Sequence, residues 1–333
     1  MRTLRTLIIA VITLSLLAAM KSDNVITIFL IGDSTMANKD ISGGKLERGW
    51  GMMLQNCFTE DVRIDNHAVN GRSSKSFINE GRWDAVVEKI KPGDYVFIQF
   101  GHNDEKPQPE RHTDPGSTFD DNLRKLVTET RDKGGIPVLF NSVVRRNFFK
   151  IEQKNDDDEA LRNTTNTGQQ TKEEGDTLYD THGLYIVSPR NVAQEMDVPF
   201  IDANSITHEL EQSLGREASK KLHMWFLPGE EPSVPDGRQD NTHYNVYGAT
   251  IVSKLLVEAI AEQVPALKPY VQHYDIAVAA DGTGQFFDPQ QAVDAAPADR
   301  PVTILIGDGT WQKPTVPADK TITFILRSGA SWQ

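Results

Sequence analysis

The stretch that decides the fold is Val25-Ile-Thr-Ile-Phe-Leu-Ile-Gly-Asp-Ser-Thr-Met36. Its first seven residues are apolar except Thr27 and rich in β-branched types, and the run stops at Gly32. This pattern is typical of a strand buried on both faces of a parallel sheet, a fold that places its chemistry at the carboxyl ends of strands. Ser34 lies just beyond that end. It is either a nucleophile, if a histidine reaches it, or the N-cap of a helix.

The alternation of strand and helix patterns continues to about residue 265. Amphipathic stretches predict helices, and four further apolar runs predict strands near 62–68, 95–100, 136–140 and 198–202. We therefore expect an α/β fold with a three-layer, doubly wound parallel sheet of five strands. The first turn lacks the pattern G-x-G-x-x-G, so dinucleotide binding is not indicated.

Two long segments carry no regular pattern. Residues 151–182 are polar and acidic, and we expect a long surface excursion. Residues 223–243 are rich in aromatic residues and proline, and we expect them to form a loop that leads into the last helix. Both segments therefore lie outside the predicted sheet.

Charge and the N-terminus limit the functions that fit. The chain has 333 residues and a net charge of −12, which argues against nucleic acid and anionic membranes as partners. Residues 1–19 have a basic start, a short apolar body and small residues at the end, as a secretory signal does. A membrane span is the alternative, but the apolar run is short for a bilayer. We expect cleavage near Ala19, no membrane anchor in the mature chain, and a secreted or periplasmic protein.

Metal and thiol chemistry find little support in the sequence. Cys57 is the only cysteine, so it forms no internal disulfide, and we expect a buried thiol. No His-Glu-x-x-His or other metal-ligand spacing occurs, so we expect no metal site. His102, His182 and His223 fit structural roles better than ligation.

Five residues at strand ends or late loops would together make one hydrolytic site. Ser34, Gly71 and Asn103 follow the first, second and third predicted strands, and Asp240 and His243 precede the final helix. In a doubly wound sheet these positions converge on one edge. Acyl transfer needs a nucleophile, a base, a carboxylate that orients the base, and donors for the developing oxyanion. Here the donors would be the Ser34 and Gly71 N–H groups and the Asn103 amide.

Each member also has a structural alternative. Asn103 could be a turn residue, and Asp240 or His243 could cap the last helix. The chain lacks G-x-S-x-G, which argues against the nucleophile-elbow hydrolases. The joint presence of all five residues at successive strand tips favours the catalytic interpretation.

The motifs around these residues resemble the four blocks of the GDSL/SGNH hydrolases. The blocks are Gly32-Asp-Ser34, Gly71, Gly101-His-Asn-Asp104 and Asp240-Asn-Thr-His243. Within that superfamily the chain is most similar to the rhamnogalacturonan acetylesterases, a resemblance that covers about residues 24–265. It rests also on Asn66-His-Ala-Val-Asn-Gly-Arg-Ser73, Val143-Val-Arg-Arg-Asn-Phe148, Asp180-Thr-His-Gly183 and Thr242-His-Tyr-Asn245.

The resemblance implies a flavodoxin-like fold and a serine esterase that removes acetyl groups from pectic polysaccharide without a cofactor. It also implies a Ser34–His243–Asp240 triad, with Ser34, Gly71 and Asn103 as the oxyanion hole. Three alternatives stay open: a deacetylase of xylan or homogalacturonan, a GDSL lipase or thioesterase, and a non-enzymatic carbohydrate-binding module. The sequence does not indicate an oligomeric state.

The implied substrate carries galacturonate carboxylates, whereas the chain is strongly negative. Cations near the site would then have to offset the repulsion, and the candidates at strand tips are Arg72, Lys75, Arg145 and Arg146. Alternatively, these four residues are solvated surface charges that do not contact substrate. Trp225 either stacks on a sugar face or pins its loop to the core.

The last residues have a different character. Residues 275–333 contain short strand-like runs, such as 302–306 and 321–326, with turns between them. They resemble the opening coils of a pectin methylesterase, a right-handed parallel β-helix, and stop before its catalytic aspartates. The predicted organisation is therefore a signal peptide (1–19), a hydrolase domain (24–265), a linker (266–274) and an incomplete β-helix segment (275–333).

Overall fold

A computed structural model describes residues 25–149 and 175–333. In chain order its strands are β1 (Ile26–Gly32), β2 (Val62–Asn66), β3 (Tyr95–Gln99), β4 (Ile136–Phe140), β5 (Phe148–Phe149), β6 (Thr177–Leu178), β7 (Phe200–Ile201), β8 (His223–Phe226), β9 (Arg238–Tyr244), β10 (Ile276–Val278), β11 (Val302–Ile306), β12 (Gly309–Trp311), β13 (Ile322–Leu326) and β14 (Ala330–Trp332). The predicted signal peptide and most of the predicted acidic excursion lie outside the described residues.

The helices lie between these strands. They are α1 (Trp50–Met53), α2 (Ser74–Asn79), α3 (Arg82–Val87), α4 (Thr118–Asp132), α5 (Ser188–Met196), α6 (Ala203–Ala218), α7 (Val246–Gln263) and α8 (Pro289–Ala295). Among the described residues, none of these helices is long and apolar enough to cross a membrane.

The predicted five-stranded parallel sheet is confirmed. Its order is β2-β1-β3-β4-β7, which is 2-1-3-4-5 for these strands in sequence order, and every neighbouring pair is parallel. Along β1, Ile28 and Leu30 join one apolar cluster while Phe29 and Ile31 join another. These two clusters are the cores between the sheet and its two helical layers, so β1 is buried on both faces as its composition predicts.

Three predicted segments differ from the structure. The fifth strand is only Phe200–Ile201, shorter than the predicted 198–202, because Pro199 has no N–H to donate to the ladder. The predicted loop 223–243 is instead the antiparallel pair β8–β9, in which Trp225 faces Gln239. The end of the predicted excursion is also packed, since β6 pairs with β5 and His182 is fully buried.

The C-terminal residues pack against the sheet domain. β10, β11 and β13 form a parallel three-stranded sheet, and β12 pairs in parallel with β14. Ala277 and Leu305 belong to the same apolar cluster as β1. The stretch predicted as a linker is also held, because Gln272 N–H donates to Cys57 O at 2.8 Å.

Candidate active site

Ser34 lies at the tip of β1 in a turn that buried polar groups fix. Thr35 donates its N–H and its hydroxyl to Asp33 Oδ1, each at 2.9 Å. Gln99 donates to Thr35 Oγ1 at 2.8 Å and accepts from Trp50 Nε1 at 2.8 Å. The helix that follows begins at Trp50, so Ser34 is not an N-cap. The turn leaves the Ser34 hydroxyl half-buried at the carboxyl edge of the sheet.

The hairpin β8–β9 brings Asp240 and His243 to that hydroxyl. His243 Nε2 lies 2.9 Å from Ser34 Oγ, and His243 Nδ1 lies 2.8 Å from Asp240 Oδ2. The other oxygen, Asp240 Oδ1, accepts the N–H groups of Thr242 and His243 at 2.8 and 2.9 Å. The structure thus assembles the hydrogen-bonded chain that activates a serine in acyl transfer.

Arg238 also contacts these hydrogen-bonded side chains, and it is not among the residues predicted from the sequence. Its Nε and Nη2 donate to Asp240 Oδ2 at 3.2 and 2.6 Å, and its Nη1 donates to Glu47 Oε2 at 2.7 Å. The alternation of a strand places residues 238 and 240 on one face. The alternation is not recognisable in the sequence, because the composition of this segment predicts a loop.

The hydrogen bonds around Asp240 decide its charge state. Burial alone would raise the pKa of this carboxyl, but the His243 imidazole and the N–H groups of His243 and Thr242 outweigh burial and hold the pKa well below its usual value. Asp240 is therefore a carboxylate throughout the working pH range. An ionised Asp240 can accept the Nδ1–H of His243 and stabilise the imidazolium that forms during reaction.

Three N–H groups around the end of β1 are candidate donors to an oxyanion. Val69 N–H donates to Gly32 O at 3.0 Å, so the loop after β2 lies beside the end of β1. Within the described residues, the backbone N–H groups of Ser34 and Gly71 have no acceptor. Asn103 Nδ2 donates one hydrogen to Arg72 O at 3.2 Å, which leaves its second hydrogen free.

Gly71 is favoured by its backbone conformation and not by a lack of space. A Cβ added to Gly71 would meet nothing within 4 Å. Its φ is +75°, a left-handed conformation that side-chain-bearing residues rarely adopt. This conformation turns the chain so that the 70–72 segment lies against Asn103.

Of the four predicted groove cations, Arg145 and Arg146 are buried, so the expectation that they flank a groove is wrong. Arg145 forms an ion pair with Glu105 at 2.5 Å and donates to His102 O at 3.2 Å. Arg146 Nη1 donates to Asn241 Oδ1 at 2.9 Å, inside the 240–243 turn. Both buried guanidinium groups therefore hold loops of the site through these hydrogen bonds.

Arg72 and Lys75 lie nearer the surface but have protein partners. Arg72 Nε forms an ion pair with Glu80 at 3.0 Å. Lys75 Nζ donates to the backbone oxygen of Pro109 at 2.7 Å, so it ties down the neighbouring loop. The structure therefore gives Lys75 an anchoring role at this edge.

Trp225 is pinned in the way one of its two interpretations predicts. Its Nε1 donates to Asn241 Oδ1 at 2.9 Å, and Lys220 Nζ lies 4.2 Å from the ring centroid. The indole therefore holds the turn between Asp240 and His243. Its remaining surface is half-exposed.

His102, His182 and His223 are buried in polar clusters. His182 Nε2 lies 2.8 Å from His102 Nδ1, and His223 Nε2 lies 2.9 Å from Glu211 Oε1. Burial, with neighbouring positive charge, lowers the pKa of His102 well below its usual value, so this ring is neutral. In the part of the chain that the structure describes, no group of three or more His, Cys, Asp or Glu side chains could hold a metal ion.

Known proteins resemble this chain in sequence. Residues 30–251 match the GDSL-like lipase/acylhydrolase family. Rhamnogalacturonan acetylesterase RhgT of Bacillus subtilis strain 168 is 39% identical over 246 residues, which are 74% of this chain and 94% of that protein. The probable rhamnogalacturonan acetylesterase YesY of the same strain is 30% identical over 71% of this chain and 92% of its own length.

Solved structures also resemble the fold. Protein YxiM of Bacillus subtilis aligns with a TM-score of 0.55 and 24% sequence identity, over 73% of this chain and 58% of that protein. This likeness concerns the sheet and its layers alone.

Proposed function

This chain belongs to the GDSL-like lipase/acylhydrolase family and is a carboxylic ester hydrolase, and on that basis we propose that it removes acetyl groups from rhamnogalacturonan. The observation that carries the chemistry is the hydrogen-bonded chain of Ser34, His243 and Asp240. Two relatives named as rhamnogalacturonan acetylesterases support the choice of substrate. The alignment with this chain covers more than nine-tenths of each relative.

In this mechanism Ser34 Oγ attacks the acetyl carbonyl carbon, and His243 Nε2 takes the serine proton. Asp240 orients the imidazole through Nδ1–H and stabilises the imidazolium. The negative charge on the carbonyl oxygen is met by the oxyanion donors described above. When the tetrahedral intermediate collapses, the bond between the acetyl carbon and the sugar oxygen breaks. His243 gives its proton to that oxygen. Water, deprotonated by His243, then releases acetate from Ser34.

The decisive experiment is acetate release from acetylated rhamnogalacturonan I. Acetylated xylan, acetylated homogalacturonan and long-chain acyl esters serve as the other substrates. The proposal requires the highest kcat/KM on rhamnogalacturonan, and a preference for any other member of the panel contradicts it. Ser34→Ala is expected to lower kcat roughly 10³-fold or more while substrate binding persists. A binding module would show no such loss.

Secretion is part of the proposal, and the sequence of residues 1–19 supports it. N-terminal sequencing of the extracellular protein is expected to begin near residue 20. An intact N-terminus retained in the membrane fraction contradicts this part.

For residues 275–333 we propose coils of the pectin methylesterase β-helix type that hold no esterase site within these residues. The parallel pairing of β10, β11 and β13 supports this interpretation. Pectin methylesterase activity that survives Ser34→Ala would overturn the non-catalytic assignment.

A further inference from the structure

The guanidinium of Arg111 lines a cavity near the candidate oxyanion donors, and no role has been assigned to it so far. We propose that this cavity is a subsite for the carboxylate of a uronic acid unit, and that Arg111 binds that carboxylate. The inference rests on the proposed function, because it places a unit of the same polysaccharide next to the unit that loses its acetyl group. We call this space the Arg111 cavity.

The Arg111 cavity adjoins the loop that carries one of the candidate oxyanion donors. It has a volume of about 410 Å³, and its wall includes Gly71 and Arg111. Arg111 Nη1 also lies 3.5 Å from Asn103 Oδ1. One candidate donor, Gly71, therefore lines the cavity, and a second, Asn103, contacts its guanidinium. The volume lies within the range of small-ligand sites.

Arg111 differs from the nearby arginines in having no carboxylate partner. Arg72 and Arg82 share Glu80, at 3.0 and 2.5 Å. No ion pair joins Arg111 to an acidic residue anywhere in the described ranges, 25–149 and 175–333. A half-buried guanidinium with an unpaired N–H edge matches a carboxylate through two parallel N–H···O bonds in its plane.

The loop that carries Arg111 is anchored on both sides. Lys75 Nζ holds the backbone oxygen of Pro109 at 2.7 Å. Thr113 donates its hydroxyl to the buried Asp104 at 3.0 Å, and Arg111 N–H donates to Gln108 O at 2.9 Å. These contacts fix the backbone that carries Arg111 before substrate arrives, which reduces the ordering cost of binding.

The acidic residues of the same cavity do not cancel this charge. Glu80 lies between Arg72 and Arg82, and hydrogen bonds from both lower the pKa of this carboxyl despite some burial, so it is an ionised but paired group. Glu110 is exposed on the rim, and the described residues provide it with no ion pair. Glu110 therefore opposes an incoming carboxylate, which gives the cavity a second residue whose removal has the opposite expected effect.

A second cavity near the triad fits an anion less well. It has a volume of about 280 Å³, and Lys39 and Arg238 form part of its wall. Both cations are bound to Glu47, at 2.8 and 2.7 Å. Their charge is already used to hold the triad loop, so the Arg111 cavity is the better place for a uronate.

The test compares Arg111→Gln with the wild type on acetylated rhamnogalacturonan oligosaccharides, both native and carboxyl-reduced. Reduction converts each galacturonate to a neutral sugar and leaves the rest of the chain unchanged. Arg111→Gln is expected to lower kcat/KM on the native oligosaccharides at least about 10-fold more than on the reduced ones. An equal loss on both substrates would overturn the proposal, because Arg111 would then act only through Asn103 or the fold.

Two further variants complete the comparison. Arg131→Gln makes the same chemical change at an exposed position on α4 and is expected to affect both substrates alike. Glu110→Gln is expected to raise kcat/KM on the native oligosaccharides relative to the reduced ones, and a change in the other direction contradicts the proposal. Glu110→Gln also keeps the proposal falsifiable if Arg111→Gln does not fold.

A last measurement separates this proposal from the proposed function. Unacetylated oligogalacturonate is tested as an inhibitor of 4-nitrophenyl acetate hydrolysis by the wild type and by Arg111→Gln. A rise of about 10-fold or more in the inhibition constant supports the subsite, and an unchanged constant overturns it. If the wild type releases no acetate from rhamnogalacturonan, the proposed function fails and the inhibition constants still decide the role of Arg111.

Discussion

His243 Nε2 lies 2.9 Å from Ser34 Oγ, although 209 residues separate the two in the chain. Ser34 follows the first strand of the sheet, which ends at Gly32, and His243 lies near the end of β9 in the hairpin that leads into α7. Neither element forms the contact alone, since the parallel sheet fixes the strand tip and the hairpin places the imidazole above it. The nucleophile and its base are therefore in hydrogen-bond contact before any substrate binds.

The pH dependence of kcat/KM follows from the charge states around His243. The imidazole must be neutral to accept the serine proton, so kcat/KM falls on acidification. Hydrogen bonds hold the pKa of Asp240 well below its usual value, and burial does the same for the pKa of His102. Glu47 and Arg238 also face the triad, and the pKa of Glu47 is lowered despite its burial. Burial raises the pKa of Asp33 and of Asp104, so the ionisation of these two carboxyl groups has to be distinguished from protonation of His243.

We expect the logarithm of kcat/KM for 4-nitrophenyl acetate to fall with a slope of about one per pH unit on the acid side. The same profile is measured for Asp104→Asn, because burial raises the pKa of Asp104 to about 7 and its ionisation must be separated from that of His243. A slope of two, or a flat acid limb, is incompatible with the assignment of His243 as the only base.

Asn103→Ala tests the side-chain donor of the oxyanion hole. The amide has one hydrogen that no neighbour accepts, and removal of one preorganised donor typically costs about 10²–10³ in kcat. We expect a loss of this size in kcat with little change in KM, measured with 4-nitrophenyl acetate. Asn191→Ala, an exposed position on α5, is the matched control and should behave as wild type. If Asn103→Ala affects KM alone, the residue binds substrate and does not stabilise the transition state.

Asn241→Ala tests the support of the triad turn. Asn241 Oδ1 accepts from Arg146 Nη1 and from Trp225 Nε1, each at 2.9 Å. The alanine variant removes the acceptor of both hydrogen bonds, so the free energy of unfolding should fall by about 1–3 kcal/mol. We also expect kcat to fall about 10-fold, because the turn carries Asp240 and His243 and loses its fixed position. Gln239→Ala, an exposed neighbour on β9, should change neither quantity.

Urea unfolding and steady-state kinetics on the same two variants decide the matter. A loss of stability without a loss of kcat would mean that Asn241 serves the fold and not the position of the triad.

Much of the fold is predictable from the sequence because burial leaves a local signal. The run ending at Gly32 is apolar on both faces of the strand, and the structure places alternate residues in the two cores. The hairpin β8–β9 is not predictable in this way. Pro228 and Pro235 lie between its strands and give the whole segment the composition of a loop.

The residues of the site also differ in how well the sequence predicts them. Ser34 and His243 occur in short motifs that can be recognised in the sequence. Arg145 and Arg146 look like surface cations in the sequence, but their partners come from distant segments, and Asn241 is 95 residues from Arg146. Arg111 lies in a loop without a motif, so only the cavity around it reveals a use.

Asp104→Asn tests how a buried carboxyl beside the oxyanion loop links stability to pH. Asp104 is fully buried and accepts hydrogen bonds from Ser74, Gly101 and Thr113. Burial raises its pKa to about 7, and these donors only partly oppose that rise. In the unfolded chain an aspartate has a pKa of about 3.9. Between these two values the folded protein binds a proton that the unfolded chain releases.

The free energy of unfolding therefore contains a component, of the order of a few kcal/mol, that is present below about pH 4 and is lost as the pH rises to about 7. Asp104→Asn cannot ionise and lacks this component, although its amide accepts fewer hydrogen bonds at every pH. We expect the stability of the wild type relative to the variant to decrease as the pH rises from about 5 to about 8. The measurement is urea unfolding of both proteins across that range, with exposed Asp132→Asn as the control. Parallel stability curves for the wild type and Asp104→Asn would show that Asp104 is already ionised in the fold, held by its donors as an anion.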